Sequence, residues 1–128
     1  MKILLDTCAF LWIVADAPEL SENAKRTFSD PDNEIFLSSV SAWEITIKNG
    51  LGKLPLPAAP EYFVREQREA HNISTLPLDE ASAFHLSGLP NIHRDPFDRM
   101  LICQAIEHHL VILTSDLMIR QYPVRVIW

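Results

Sequence analysis

The stretches ILLDT (residues 3–7) and VILTSD (residues 111–116) each join a short apolar run to a carboxylate, Asp6 or Asp116. Each apolar run has the length of a buried strand. Along the chain, strand-like runs alternate with helix-like spacing, which is typical of a parallel sheet covered on both faces. We therefore predict an α/β fold, a three-layer α/β/α sandwich with a mainly parallel central sheet. In such a sheet the carboxyl ends of the strands line a ligand-binding crevice.

Apolar periodicity, cap residues and turn residues place the elements. We predict strands at residues 2–5, 34–37, 73–78, 110–114 and 124–128, and helices at residues 7–14, 20–28, 39–50, 61–71, 79–86, 95–109 and 117–122. Ser39 or Ser41 is expected to cap the helix after the second strand, and Glu44 would complete a capping box with Ser41. Because no repeat or linker interrupts this pattern, residues 1–128 are expected to form a single domain.

Composition limits the classes of function. Of the 128 residues, 48% are hydrophobic and 22% are charged, as in ordinary soluble proteins. The net charge of −6 argues against broad electrostatic binding to nucleic acid, but not against a nucleic-acid enzyme with an acidic site. No apolar run approaches the ~18 residues that span a membrane, and Asp6 interrupts the apolar N-terminal segment, so we expect a cytoplasmic protein without a membrane partner. Cys8 and Cys103 lack metal-binding spacing and are expected to be buried, reduced thiols rather than zinc ligands.

Four carboxylates, those of Asp6, Glu44, Asp98 and Asp116, each stand where a helix is expected to begin. Taken singly, each is better explained by a capping role at a helix start. Several acids converging on one sheet edge would repel one another unless they were protonated or bound to a divalent cation. We therefore expect a Mg²⁺ or Mn²⁺ site and phosphate chemistry. Three hydroxyl residues beside the acids are candidates for orienting an acid or a water molecule: Thr7, Thr114 and Ser115.

Basic residues lie close to these acids in the sequence. Lys48 follows Glu44, and Arg94 and Arg99 flank Asp98. This distribution suits a polyanionic substrate, although surface ion pairs explain it as well; for Arg99, substrate neutralisation and pairing with a carboxylate are equally favoured. His93 is expected to make a loop hydrogen bond, because no second histidine lies at metal-ligand spacing.

Five segments, in order along the chain, resemble the PIN-domain nucleases, and among them the VapC-type toxins of bacterial toxin–antitoxin pairs. They are LLDT (residues 4–7), SAWEI (41–45), GLGKL (50–54), HRDPFDR (93–99) and LTSD (113–116). The resemblance implies a PIN-like domain that is a Mg²⁺- or Mn²⁺-dependent endoribonuclease, with RNA as substrate and a cognate antitoxin as partner. It departs from the family at Cys8, where a polar residue often follows the Asp-Thr pair. A homodimer is also expected, because the helices carrying Trp12 and Phe28 and the Tyr62-Phe63 pair offer apolar surface to a second copy or to an antitoxin helix, although core burial explains most of these side chains equally well.

Carried over residue by residue, the resemblance implies that Asp6, Glu44, Asp98 and Asp116 are catalytic and that Asp6, Asp98 and Asp116 hold the metal. Asp98 is preferred over Asp95 because the Pro-Phe-Asp segment aligns there. A side chain at the third helical position also projects inward, whereas an N-cap side chain folds back onto backbone N–H groups. Asp95 is then a helix cap or an outer helper of the site.

Three other functions remain open from the residues. The first is a PIN-like RNA-processing nuclease outside any toxin pair. The second is a phosphotransfer domain, which also gathers acids around Mg²⁺ but needs adjacent N-terminal acids and a lysine after a late strand. Here Thr7 follows Asp6, and no lysine occurs after Lys53. The third is a non-catalytic interaction module, which no feature of the sequence favours.

Overall fold

A computed structural model describes residues 1–128. The strands are β1 (Lys2–Leu5), β2 (Glu34–Ser38), β3 (Ser74–Leu76), β4 (Val111–Leu113) and β5 (Val126–Ile127). The α-helices are α1 (Thr7–Ala15), α2 (Glu22–Ser29), α3 (Ser39–Gly50), α4 (Pro60–Ala70), α5 (Glu80–Phe84) and α6 (Pro96–His108), with short 3₁₀-helices at His85–Gly88 and Ile119–Gln121. None of the helices combines the length and the apolar character needed to cross a membrane.

Successive residues of the strands point to opposite faces of the sheet. Ile3 and Leu5 of β1 pack into one hydrophobic core, together with side chains of α1, α2 and α4. Leu4, between them, packs into a second core dominated by α6. Helix α3 contributes to both cores, through Ile45 to the first and Val40 to the second. The near-continuous apolar strands are thus buried on both sides, which confirms the predicted α/β/α sandwich.

All neighbouring strands are parallel, in the order β3-β2-β1-β4-β5. From β1 the chain adds β2 and β3 on one side, and it then returns past α6 to add β4 and β5 on the other. The direction of strand addition therefore reverses between β1 and β4. Open α/β sheets bind ligands at such a switch point, beyond the carboxyl ends of the strands. Asp6 directly follows β1, and residues 114–116 directly follow β4.

Several local predictions are wrong. The N-cap of α3 is Ser38, whose hydroxyl accepts a hydrogen bond from the Val40 N–H at 2.9 Å. Because β2 runs into α3 without a connecting loop, Ser41 and Glu44 lie inside the helix and no capping box forms. The strand predicted at residues 73–78 and the helix predicted at residues 117–122 are each reduced to three residues. Cys8 is exposed rather than buried, although both cysteines are free as expected.

Candidate active site

Asp6 joins the ends of the two central strands. It is the N-cap of α1, and its Oδ1 accepts a hydrogen bond from the Ala9 N–H at 2.7 Å. Its Oδ2 accepts a hydrogen bond from the hydroxyl of Thr114, the first residue after β4. Both residues are buried, so this carboxylate is held from two strands at the switch point.

Glu44 reaches the same place from the middle of α3. Its Oε1 accepts a hydrogen bond from the Thr7 hydroxyl at 2.7 Å, and its Oε2 pairs with the ammonium of Lys48, one helical turn later. The Glu44 side chain is only 6% exposed, whereas that of Lys48 is 44% exposed. The carboxylate is therefore fixed at both oxygens, and one of its partners faces solvent.

Asp95 and Asp98 lie at the N-cap and third helical positions of α6, as predicted for this helix. Oδ1 of Asp95 accepts hydrogen bonds from the N–H groups of Phe97 at 2.9 Å and Asp98 at 3.1 Å. The Asp98 side chain is not used as a cap. Its Oδ2 lies 3.3 Å from Nε2 of His93.

Asp116 completes the group from the loop after β4. Its N–H donates a hydrogen bond to the Thr114 hydroxyl at 3.0 Å, and its Oδ1 accepts one from the Met118 N–H at 2.8 Å. The hydroxyl of Thr114 thus contacts both Asp6 and the backbone of Asp116. This local turn keeps Asp116 at the carboxyl end of β4.

The structure brings the four acids together around one cavity of about 300 Å³. The lining also includes residues predicted as helpers and others that were not: Thr7, Cys8, Trp12, Lys48, Asp95 and Ser115. Lys48 is the only basic residue among them. The cavity therefore concentrates negative charge at the edge of a buried sheet.

Burial and mutual repulsion make ionisation of two of these acids costly. Burial, and to a lesser degree the nearby charges of Asp116 and Glu44, raises the pKa of Asp6 to about 6, against the favourable hydrogen bond from Thr114. Burial and the charge of Asp95 raise the pKa of Asp98 to about 7. These acids would be stabilised in their ionised form by a cation.

The donor set fits a hydrated hard cation. No three of the histidine, cysteine, aspartate and glutamate side chains form a ready-made ligand cluster. Mg²⁺ does not require one, because it usually keeps several water molecules and is held through one or two carboxylates plus substrate phosphate. The four acids line one cavity that contains a single basic residue, and Asp6 and Glu44 are buried, so their carboxylate oxygens meet that need.

Two arginines predicted near the site do not pair with the acids. The guanidinium of Arg99 donates hydrogen bonds to the Pro90 carbonyl at 2.8 Å and the Tyr122 hydroxyl at 3.0 Å, so the expectation that it pairs with a carboxylate is wrong. Arg94 and Arg99 line a separate depression beside the cavity. Arg99 holds the loop before α6 rather than an acid.

Sequence reasoning left one feature of the site open and missed two others. The Lys48–Glu44 ion pair is one of the two alternatives left open for this lysine, and its signal is that the residues are four apart on one helix. The contact between His93 and Asp98 has a weak signal in their proximity along the chain. Tyr122, which contacts His93, has none, because its position depends on how the chain returns after β4.

The chain is thus an α/β domain with an all-parallel sheet and a carboxylate-lined cavity at the switch point of that sheet. A family model described as PIN domain matches residues 3–124, nearly the whole chain. The chain therefore belongs to the PIN domain family.

Individual relatives agree with this assignment. The chain is 35% identical to "Ribonuclease VapC16" of Mycobacterium tuberculosis (strain ATCC 25618 / H37Rv) over 77 residues. That match covers 59% of this chain and 55% of the relative, so it spans only about half the length of the curated relative.

Solved structures share the fold. VapBC2 from Rickettsia felis, bound to a DNA fragment from its promoter, has a TM-score of 0.73 at 13% identity, with 99% of this chain and 98% of that chain covered. DNA-bound VapBC from Salmonella typhimurium has a TM-score of 0.67 at 21% identity, with 99% and 97% covered. VapBC-1 from nontypeable Haemophilus influenzae has a TM-score of 0.65 at 18% identity, again with 99% and 97% covered. At these identities the likeness shows the fold alone.

Proposed function

We propose that this protein is a Mg²⁺- or Mn²⁺-dependent endoribonuclease that acts in the cytoplasm as the toxin of a toxin–antitoxin pair. The observation that carries the proposal is the convergence of Asp6, Glu44, Asp98 and Asp116 from four separate elements on one cavity. Membership of the PIN domain family and the name of the ribonuclease relative support it.

Each acid has a distinct part in the proposed mechanism. Asp6 follows β1, Asp116 lies in the loop after β4, and Asp98 lies in the first turn of α6. These three acids would hold the cation. The bound cation would supply acidification of water and neutralisation of the charge on the departing oxygen. Glu44, held by Thr7 and Lys48, would orient the attacking water and accept its proton. The Thr114 hydroxyl contacts both the Asp6 carboxylate and the backbone of Asp116, and Ser115 lines the cavity.

Lys48 is placed to meet the substrate. It is the only basic residue lining the cavity. Its side chain is half-exposed and would contact an RNA phosphate. An ammonium beside the cavity offsets part of the repulsion between RNA and a chain with a net charge of −6. Asp95 acts as the helix cap that sets the start of α6.

The deciding experiment measures cleavage of single-stranded RNA by the purified full chain with Mn²⁺ or Mg²⁺, with and without a chelator. Cleavage should require the cation, and Asp98→Asn should abolish it. Asp95→Asn is the matched control, because asparagine caps a helix as well as aspartate does and the charge alone is removed. Cleavage in chelator, or full activity of Asp98→Asn, would overturn the proposal.

The toxin role adds two partners. A cognate antitoxin should bind the chain and suppress RNA cleavage; co-purification with the product of an adjoining small reading frame, followed by the cleavage assay, tests this. A homodimer is the proposed assembly, since several large apolar side chains, including Trp43, Leu51 and Phe84, are exposed in the single chain. Sedimentation equilibrium should give twice the chain mass of 14.6 kDa.

A further inference from the structure

The loop before α6 is tied to the end of the chain through a single hydroxyl group. Tyr122, buried after the last 3₁₀-helix, places its ring edge-on against the imidazole of His93, with the ring centroids 5.3 Å apart. Its hydroxyl lies 2.7 Å from Nδ1 of His93, 3.1 Å from the His93 backbone nitrogen and 3.0 Å from Nη1 of Arg99. Nε2 of His93, on the far side of the imidazole, faces Asp98.

The number of hydrogen bonds that a hydroxyl can make determines the direction of each one. A tyrosine hydroxyl has one proton to donate and two lone pairs that accept. The backbone N–H of His93 and the guanidinium of Arg99 are obligatory donors, and they occupy both lone pairs. The Tyr122 proton must therefore be donated. Its acceptors within reach are Nδ1 of His93 at 2.7 Å and the His93 carbonyl at 3.5 Å, so it goes to the nearer atom, Nδ1.

An imidazole nitrogen that accepts a hydrogen bond carries no proton. In the neutral ring, the proton then resides on the other nitrogen, Nε2. This nitrogen lies 3.3 Å from Oδ2 of Asp98, a carboxylate that can only accept when ionised. The Nε2–H group thus points at one of the four site acids.

We propose that His93 is a positioning residue for Asp98: Tyr122 and Arg99 hold its imidazole as the Nε2–H tautomer, and that N–H orients the Asp98 carboxylate towards the cavity. A ligand carboxylate that is itself hydrogen-bonded is a recurring way to fix the geometry of a cation site. The choice of tautomer is independent of what the protein does. Its catalytic consequence rests on the proposed nuclease function.

The tautomer is tested by ¹H–¹⁵N two-bond correlation spectra of the ¹⁵N-histidine-labelled full chain at pH 8, where an ordinary imidazole is neutral. These spectra distinguish protonated from bare ring nitrogens, and loss of one signal set in His93→Gln assigns His93 among the five histidines. His93 should show a single Nε2–H form. In Tyr122→Phe, which removes only the hydroxyl, this preference should weaken and an Nδ1–H form should become detectable, because only the contact with Asp98 then favours Nε2–H. An Nδ1–H form, a mixture or a doubly protonated ring in the unmodified protein would overturn the inference.

The positioning role is tested by RNA cleavage with Mn²⁺. His93→Leu should lower kcat about 10- to 100-fold, as other losses of partners to metal ligands do, while leaving the KM for RNA unchanged. His93→Gln, whose amide can donate to Asp98, should recover most of this loss, and Tyr122→Phe should show a smaller loss. His85→Leu is the control, since it removes an imidazole that pairs with Glu107 away from the cavity.

The outcomes separate the two proposals. If the unmodified protein cleaves RNA and both His93→Leu and Tyr122→Phe cleave it equally well, the positioning role is wrong and the nuclease function stands. If the unmodified protein does not cleave RNA, the nuclease function fails, and the spectra still decide the tautomer. If His93→Leu does not fold, by circular dichroism, Tyr122→Phe decides the positioning role: an unchanged kcat in that variant overturns it.

Discussion

The hydroxyl of Thr7 lies 2.7 Å from Oε1 of Glu44, so the first residue of α1 fixes a carboxylate from the middle of α3. The same hydroxyl lies 2.9 Å from the hydroxyl of Ser41, one turn before Glu44 on α3. All three side chains are buried. Because Thr7 directly follows Asp6, this contact also sets the distance between two acids of the cavity.

Replacing Thr7 by valine should destabilise the protein by about 1–3 kcal/mol, because Oε1 of Glu44 then remains buried without a donor. Urea unfolding measures the change. Thr46→Val is the matched control: its hydroxyl donates to the Ala42 carbonyl on the exposed side of the same helix, and its loss should cost less than about 0.5 kcal/mol. Equal effects of the two substitutions would contradict the buried role of Thr7.

Removing the charge of Asp98 should stabilise the cation-free protein. Its folded pKa of about 7 is raised above the ordinary value of 3.8, so the ionised carboxylate opposes folding. This penalty is absent below about pH 3, grows as the pH rises and is complete above about pH 7. In chelator at pH 8, Asp98→Asn should therefore be more stable than the unmodified protein by on the order of 2 kcal/mol, measured by urea unfolding.

The difference between Asp98→Asn and the unmodified protein should shrink as the pH falls and vanish below about pH 3, where the carboxylate is protonated in both the folded and the unfolded state. Adding Mg²⁺ at pH 8 should raise the unfolding midpoint of the unmodified protein and have less effect on the variant. Asp32→Asn, which removes an exposed carboxylate outside the cavity, is the control for a change in net charge. A variant less stable than the unmodified protein in chelator at pH 8 would refute the electrostatic account.

Asp79 should have the opposite pH dependence. Hydrogen bonds from the Ser82 hydroxyl at 2.6 Å and from His108 at 2.9 Å lower the pKa of Asp79 to about 2. The ionised form is thus favoured by folding, and its contribution is present above about pH 4 and lost as the pH falls towards 2. Asp79→Asn should be less stable than the unmodified protein at pH 5, and the gap should close by pH 2. A gap that stays constant across this range, in urea midpoints, would contradict the assignment.

Gln104 of α6 is buried in the core and contacts the carboxyl ends of β2 and β3. Its amide oxygen accepts a hydrogen bond from the Ser38 hydroxyl, and its amide nitrogen donates one to the Pro77 carbonyl at 3.2 Å. Gln104→Leu leaves the proton of the buried Ser38 hydroxyl without an acceptor and removes the donor to the Pro77 carbonyl, and it should cost about 1–3 kcal/mol in thermal or urea unfolding. Gln121→Leu, at an exposed position, is the comparison and should leave stability nearly unchanged. A stability close to that of the unmodified protein in Gln104→Leu would show that this buried pair is dispensable.

Features that depend on a few neighbouring residues could be predicted. Ser21 caps α2, and Asp95 caps α6 with Pro96 at its first position, as their patterns indicate. The Ser41-x-x-Glu44 pattern is equally good locally, yet Ser38 takes the cap. The reason lies outside the pattern: β2 ends at Ser38 and continues directly into α3, so the cap falls on Ser38, before both candidate caps, Ser39 and Ser41.

The sequence by itself determined the alternation of strands and helices and the parallel sheet, and it gave the four candidate acids, since these follow from apolar periodicity and from short motifs. Only the tertiary structure decided how the acids are held. The Thr114 hydroxyl after β4 donates to Asp6 after β1, and the Thr7 hydroxyl on α1 donates to Glu44 on α3. The Tyr122 hydroxyl determines which imidazole nitrogen of His93 carries the proton. Those contacts join residues 29 to 108 positions apart in the chain. The packing of separate elements around one edge of the sheet brings them together, and local sequence patterns carry no record of that packing.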